Sequence, residues 1–295
     1  MRIVSLLPSS TEILFALGAA DDIVGVTFEC DYPEAARGKR IVSTSALPQG
    51  LTAQQIDAFV AAAIRSGQDL YHLDAGALRE LDADLVVTQD LCAVCAVDVS
   101  VVDDALAHLG CRAEVLTVDP HTLGEVIDSI VTLGSAVGRV GPANEIVGQL
   151  RSRLRTVTEA VAGQRQPRVA VLEWTDPPYA PGHWVPEMVT AAGGVPAIGL
   201  AGQRSVRTSW PAVAAGAPEL IVAAPCGYGL AQSVQLAQQL VAHRVLPSGV
   251  PVWAVDANAS FARPGPRLVD GVEALAAILH PGRMAARPAL ARRVG

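Results

Sequence analysis

Aromatic residues are scarce in this chain, only 4% of 295 positions. Burial must therefore rest on aliphatic side chains, and wherever aromatic rings gather they mark a particular place. Charge is sparse too, at 17%, and acids outnumber bases to leave a net charge of −7. That balance excludes the concentrated basic patch of a nucleic-acid footprint. The one basic cluster, Arg283 to Arg293, lies among prolines and alanines and is expected to be a flexible tail. Five cysteines (Cys30, Cys92, Cys95, Cys111, Cys226) do not make a disulfide scaffold in a chain of this length. No apolar run reaches the ~18 residues that a membrane span needs. The opening Met1–Gly18 is broken by Pro8, Ser9, Ser10, Thr11 and Glu12, with no small-residue cleavage site after it. It is expected to be a strand and a helix of a cytoplasmic protein rather than a secretory leader. GxGxxG, P-loop and GxSxG patterns are missing.

What is abundant is aliphatic: 51% of residues are hydrophobic, enough for two ordinary cores. The chain also repeats itself. Asp84-Leu-Val-Val-Thr-Gln-Asp90 answers to Glu219-Leu-Ile-Val-Ala-Ala-Pro225, and Val115–Asp119 answers to Val252–Asp256. Each second strand leads into a helical pattern, Leu123–Leu133 in one half and Leu268–Leu279 in the other. Short apolar strands alternating with helices predict α/β architecture with parallel sheets covered on both faces. Between the halves, Pro142–Gly163 carries Ile146, Val147, Leu150, Leu154, Val157 and Val161 on one face and reads as one long helix. The fold expected is two similar Rossmann-like lobes joined by a backbone helix, with a ligand cleft between them. The divisions are 1–140 and 165–282 for the lobes, 141–164 for the helix, and 283–295 for the tail.

The unusual residues cluster just past the carboxyl ends of predicted strands, the edge where open parallel sheets bind ligands. In the first half these are Phe28, Glu29, Asp31 and Tyr32. In the second they are Trp174, Asp176, Tyr179, His183, Trp184, Tyr228, Asn258, Phe261 and Arg263. The stretch Glu173–Glu187, dense in proline and aromatics, predicts a long loop. Its rings offer a wall for a large planar ligand, or else packing for a lobe interface. Arg263 with Asn258 suits a carboxylate, amide or phosphate, or braces its loop. Glu29, Asp31, Glu173 and Asp176 could act as general acid or base, but no nucleophile accompanies them. Cys92-Ala-Val-Cys95 stands between a strand and a helix, the latter expected over 101–109, and admits a redox dithiol, part of a metal site with two ligands from Cys30, Cys226 or His183, or simple turn packing. A metal- or thiol-dependent enzyme built around Cys92 and Cys95 is the alternative to a binding protein.

Arg2-Ile-Val-Ser-Leu-Leu-Pro-Ser-Ser-Thr-Glu-Ile-Leu-Phe-Ala-Leu-Gly18, with Val24-Gly-Val-Thr-Phe-Glu-Cys-Asp-Tyr-Pro33, resembles the cobalamin-binding branch of the class III (helical-backbone) ABC-transporter substrate-binding proteins. Leu91–Ala96, Glu173–Glu187 and Asp256–Pro266 are similar to a cobalamin-binding subgroup, and the likeness runs to about His280. It implies a corrinoid, a vitamin B12-like small molecule, as ligand, stacked on the aromatic side chains. Asp31, Asn258 and Arg263 would bond its peripheral amides, with Glu29 or His183 adding to them. His183 is the candidate for direct cobalt contact. Members that dock on a permease carry a surface glutamate on each lobe. Here those positions fall at about Gly76 and at Pro211 or Ala212, which argues against permease docking; the roles implied are carriage or salvage inside the cell, or a transporter-related receptor.

Overall fold

Runs such as Val169-Ala-Val-Leu172 and Leu85-Val-Val-Thr88 are apolar on both faces, so they belong inside a sheet covered by helices rather than at a solvated surface. The computed structural model describes residues 1–66, 68–89 and 113–295. Cys92, Cys95 and the helix expected over 101–109 lie outside the described residues. The chain divides into two units, Met1–Pro120 with Asp128–Val147, and His121–Ile127 with Gly148–Gly295.

The first unit holds strands β1 (Ile3–Ser5), β2 (Ile23–Thr27), β3 (Arg40–Ser45), β4 (Tyr71–Leu73), β5 (Leu85–Thr88) and β6 (Glu114–Thr117). They form one sheet in the order β4-β3-β2-β1-β5-β6, parallel except where β4 runs against β3. Val4, Leu6, Val42, Leu78 and Val86 are buried together as its core. The first helix, Pro8–Ala16, starts earlier than the residue types suggest. Ser9, Ser10, Thr11 and Glu12 are buried inside it, and no side chain caps it. Thr11 instead donates to Ser5 Oγ at 2.8 Å and meets Cys30 Sγ at 3.0 Å, an inward polar knot at the carboxyl end of β1.

The second unit holds β7 (Arg168–Leu172), β8 (Trp174–Thr175), β9 (Pro178–Ala180), β10 (Val195–Pro196), β11 (Val206–Arg207), β12 (Leu220–Ala223), β13 (Val252–Val255) and β14 (Ala291–Arg293). Its main sheet runs β10-β7-β12-β13-β14. Within it β10-β7-β12-β13 repeats the order β2-β1-β5-β6 of the first unit, so the internal likeness read in the sequence is a likeness of topology. Helices Ala75–Leu81 and Trp210–Ala215 stand at matching places ahead of β5 and β12. The long helix runs Val140–Val161, beginning in the first unit and ending in the second, with Ala143, Val147, Leu150, Val157 and Val161 buried along one face.

Two expectations are corrected. The tail is not loose: β14 pairs antiparallel with β13, and Arg287 joins Arg153 of the long helix in bonding Asp270 and Glu273. Four charges that neutralise one another draw the basic segment onto the unit, which composition alone could not show. Nor is Glu173–Glu187 wholly loop. It contains the hairpin β8–β9, joined on its far side by β11 into a small antiparallel sheet, and it then enters the helix Val185–Ala191.

Candidate functional site

In the second unit the strand order reverses between β7 and β12, since β10 leaves β7 on one side and β12 lies on the other. Loops at such a switch part from each other and leave room at the carboxyl edge. The loop after β7 and the loop after β12 meet there: Cys226 N–H donates to Glu173 O at 3.0 Å. Above that bond Trp174 and Tyr228 lie with ring centroids 5.7 Å apart, tilted by 35°. Asn258, at the start of the helix Ala257–Ser260, donates its backbone N–H to Tyr228 O at 3.0 Å. Asp256 caps that helix through Ala259 N–H at 2.9 Å. Residues from three strand ends are thus tied into one surface. Burial pushes the Tyr228 phenol above its ordinary range, so it stays a neutral donor.

The hairpin sets the orientation of the wall. Trp174 faces Tyr179 across β8–β9, and Arg207 of β11 faces Tyr179 on the other side. Residues paired across an antiparallel ladder share a face, so indole, phenol and guanidinium form one row. Thr175, Pro178 and Ala180 alternate with this row and are buried, whereas Trp174 and Tyr179 are half-exposed and Arg207 is exposed. Trp174 Nε1–H donates to Asp176 O at 3.1 Å, which holds the indole over the exposed hairpin tip. β11 is fastened by Thr208 N–H to Pro178 O at 2.8 Å and by Ser205 Oγ–H to the Glu173 carboxylate.

Other expected site residues are placed differently. Trp184 is 5% exposed and Phe261 2%, and the Trp184 indole N–H donates to Phe261 O at 2.7 Å. Both belong to the core of the unit. They leave the ligand wall because their rings are already covered by protein. His183 has its backbone in the left-handed region (φ +47°), pinned by His183 N–H to Gln203 O at 2.6 Å and by Gly202 N–H to His183 O at 3.0 Å. Gly182 beside it permits this approach, because a Cβ there would stand 2.2 Å from Gln203 O. The His183 ring lies 5.9 Å from His121 and 5.5 Å from Trp184, with Nε2 buried and unbonded among the described residues. Burial first, then the charges of His121 and Arg204, push its imidazole below the ordinary 6.5, so it is neutral near pH 7. Arg263 is half-buried just past the helix Ala257–Ser260, and Asp176 is exposed at the hairpin tip. Among the described residues, no group of three or more His, Cys, Asp or Glu is disposed to hold a metal ion.

In the first unit Phe28 and Tyr32 follow β2 and are 39% and 46% exposed, with Phe28 6.2 Å from the Tyr71 ring. The Tyr71 hydroxyl donates to Glu29 Oε2 at 3.3 Å, and Asp31 lies 3.7 Å from the Arg37 guanidinium. Sequence reasoning missed Arg207, His121 and Tyr71. A two-residue strand such as β11 has no periodicity to betray it, and His121 looks like an ordinary residue ahead of a helix.

Two α/β units of matching strand order, sharing one long helix, define a solute-binding protein. The chain belongs to the Periplasmic binding protein family, whose model matches residues 3–248. The homologues and the fold are those of solute-binding proteins rather than of enzymes. The chain is 28% identical over 160 residues to the uncharacterized ABC transporter substrate-binding lipoprotein YvrC of Bacillus subtilis (strain 168), a match covering 54% of this chain. That match spans about two fifths of the relative, 41% of its length. Its fold is similar to a periplasmic heme-binding protein from Pseudomonas aeruginosa (TM-score 0.72, 21% identity, 98% of this chain and 96% of that one). It is also similar to the periplasmic vitamin B12-binding protein BtuF of Vibrio cholerae (TM-score 0.68, 22% identity, 94% and 96%). The expected cytoplasmic location is corrected by these findings, because the family and these relatives are periplasmic proteins or a lipoprotein. The reading from the opening residues fails because a strand-and-helix start says nothing about export. No helix among the described residues is long and apolar enough to cross a membrane.

Proposed function

We propose that this protein binds a corrinoid outside the cytoplasm and presents it to an ABC-type permease. The observation that carries the proposal is the pair Trp174 and Tyr228, 5.7 Å apart at the switch between β7 and β12 and extended by Tyr179. A half-exposed row of rings in a chain so poor in aromatics suits a flat, wide, largely apolar macrocycle. Asn258 and Arg263, beside the same loops, supply polar groups for a periphery of amides. The vitamin B12-binding fold relative supports a corrinoid, and the heme-binding relative supports the broader class of tetrapyrrole-type ligands. Permease docking rests on contacts other than paired glutamates, since the first turns of Ala75–Leu81 and Trp210–Ala215 carry Gly76 and Pro211-Ala212 there.

Titration of the purified protein with cyanocobalamin and hydroxocobalamin, followed by Trp fluorescence and the corrin visible band, tests this. Quenching should saturate at one ligand per chain and weaken in Trp174→Ala. A band shift with hydroxocobalamin alone would assign a side chain to cobalt. No quenching by either at tens of micromolar would end the corrinoid proposal.

A further inference from the structure

In the first unit, the helix Pro8–Ala16 begins with buried donors that its own turns do not satisfy. Strands β1 and β5 lie side by side, with β2 and β3 beyond β1 on one flank and β6 beyond β5 on the other. The carboxyl ends of β1 and β5 are therefore a switch point, at the place in the strand order that β7 and β12 hold in the second unit. Pro8–Ala16 starts there. Its bonding ladder opens with Thr11 N–H to Leu7 O at 3.0 Å, Pro8 has no N–H, and no side chain caps the end. The N–H groups of Ser9 and Ser10 thus receive no acceptor from the helix or from a capping side chain, although both residues are at most 4% exposed. A buried helix end left in this state calls for an occupant.

Two side chains converge on the same end. Ser10 is fully buried, and its Oγ is unbonded among the described residues. Helical side chains lean back toward the amino end, so this hydroxyl lies over the first turn. Gln89 is 3% exposed, and its Nε2 is unbonded in the same way. Ser5 pairs with Val87 in the β1–β5 ladder, and Leu6 N–H donates to Val87 O at 2.9 Å. Carried two steps further, that register sets Gln89 abreast of Leu7, the residue from which the helix springs. Backbone N–H groups, a hydroxyl and a carboxamide NH2 can all donate here. Donors gathered at the positive end of a helix match an oxyanion, which accepts several bonds at once. Glu12, also buried, stands about 200° round the helix from Ser10, so its carboxylate is not on that side.

We propose that the amino end of Pro8–Ala16, with Ser10 and Gln89, is an oxyanion subsite that takes a phosphate or carboxylate group. The inference uses no residue of the aromatic row, so it stands or falls apart from the corrinoid reading. The probes are inorganic phosphate and acetate, added to the full chain at constant ionic strength with chloride as the balancing ion. Amide NMR of the isotope-labelled protein follows the backbone signals of Ser9 and Ser10 and the side-chain amide of Gln89. These three should shift together and saturate, with a Kd of roughly 1 mM for a free anion. Ser10→Ala, and Gln89→Met, which keeps the shape, should each raise that Kd about tenfold. Without added anion, both variants should melt at or above the wild-type midpoint, because each removes a buried donor that has no acceptor. With saturating anion the wild type should overtake them. A larger response to phosphate assigns a phosphoryl group, and a larger response to acetate assigns a carboxylate. If the signals do not respond up to tens of millimolar, or if both variants bind as the wild type does, the donors hold an ordered water only and the subsite is overturned.

Discussion

The two tryptophans of the 173–187 stretch make the sharpest prediction, because the sequence treats them alike and the structure does not. Trp184 is 5% exposed and bonds Phe261 O at 2.7 Å; Trp174 is half-exposed and bonds the backbone of its own hairpin through Asp176 O. Trp184→Ala should therefore leave a cavity and an orphaned buried carbonyl, at a cost of about 3–5 kcal/mol. For a chain of this size, at roughly 2 °C per kcal/mol, the thermal midpoint should fall by about 6–10 °C. Trp174→Ala should barely move the midpoint. Its effect belongs to the ligand: an indole face of ~100 Å² at ~25 cal/mol/Å² is worth about 2.5 kcal/mol, or roughly 50-fold in Kd. Differential scanning calorimetry without ligand and fluorescence titration with cyanocobalamin measure the two effects separately. Tyr179 and Tyr228 remain as quenching-sensitive neighbours, and the corrin visible band reports binding when Trp174 is gone. If Trp184→Ala melts like the wild type but loses ligand, then Trp184 is wall and not core, and the argument from burial fails.

Other perturbations follow from the same geometry. Deleting residues 281–295 removes β14 and Arg287, so the second unit should melt several degrees lower; Arg153→Met should act in the same direction by about 2 kcal/mol, since Asp270 and the buried Glu273 lose half their counter-charge. Gly182→Ala should displace the 203–205 backbone, cost about 2 kcal/mol and weaken ligand binding, because Arg207 and Tyr179 share that sheet. His183 has a folded-state pKa below its ordinary value, so the unfolded chain takes the proton more readily. The stability this group contributes is full above about pH 6.5 and is lost as pH falls below it. His183→Asn should flatten the urea-unfolding pH profile between pH 7.5 and 5, and asparagine also tolerates the left-handed backbone there. An unchanged slope in that variant would remove His183 from the account.

Patterns that depend on neighbours along the chain were legible in the sequence. Strands β5, β12 and β13 and the helix Leu268–Leu279 appear where apolar runs and their boundaries put them. The internal repeat was legible for the same reason, since matching strands need matching aliphatic runs. So was the placing of Trp174, Tyr228 and Asn258 just past strand ends, which the sheet topology turns into a shared edge. The start of the first helix was not legible: Ser9, Ser10 and Glu12 are good capping types, yet packing buries them within the helix.

The sequence by itself determined that the chain makes two α/β units, which strands are fully buried, and where the rare rings gather, because each of these is set by local periodicity and composition. Only the tertiary structure decided which rings stay open and which charges pair. Trp184 became core because Phe261, far along the chain, supplies an acceptor and a cover. The basic tail became a strand because Asp270 and Glu273 wait for Arg287. Arg207 reached the aromatic row because β11 pairs with β9. Each outcome turns on partners distant in sequence, and no short-range pattern can encode whether such a partner arrives.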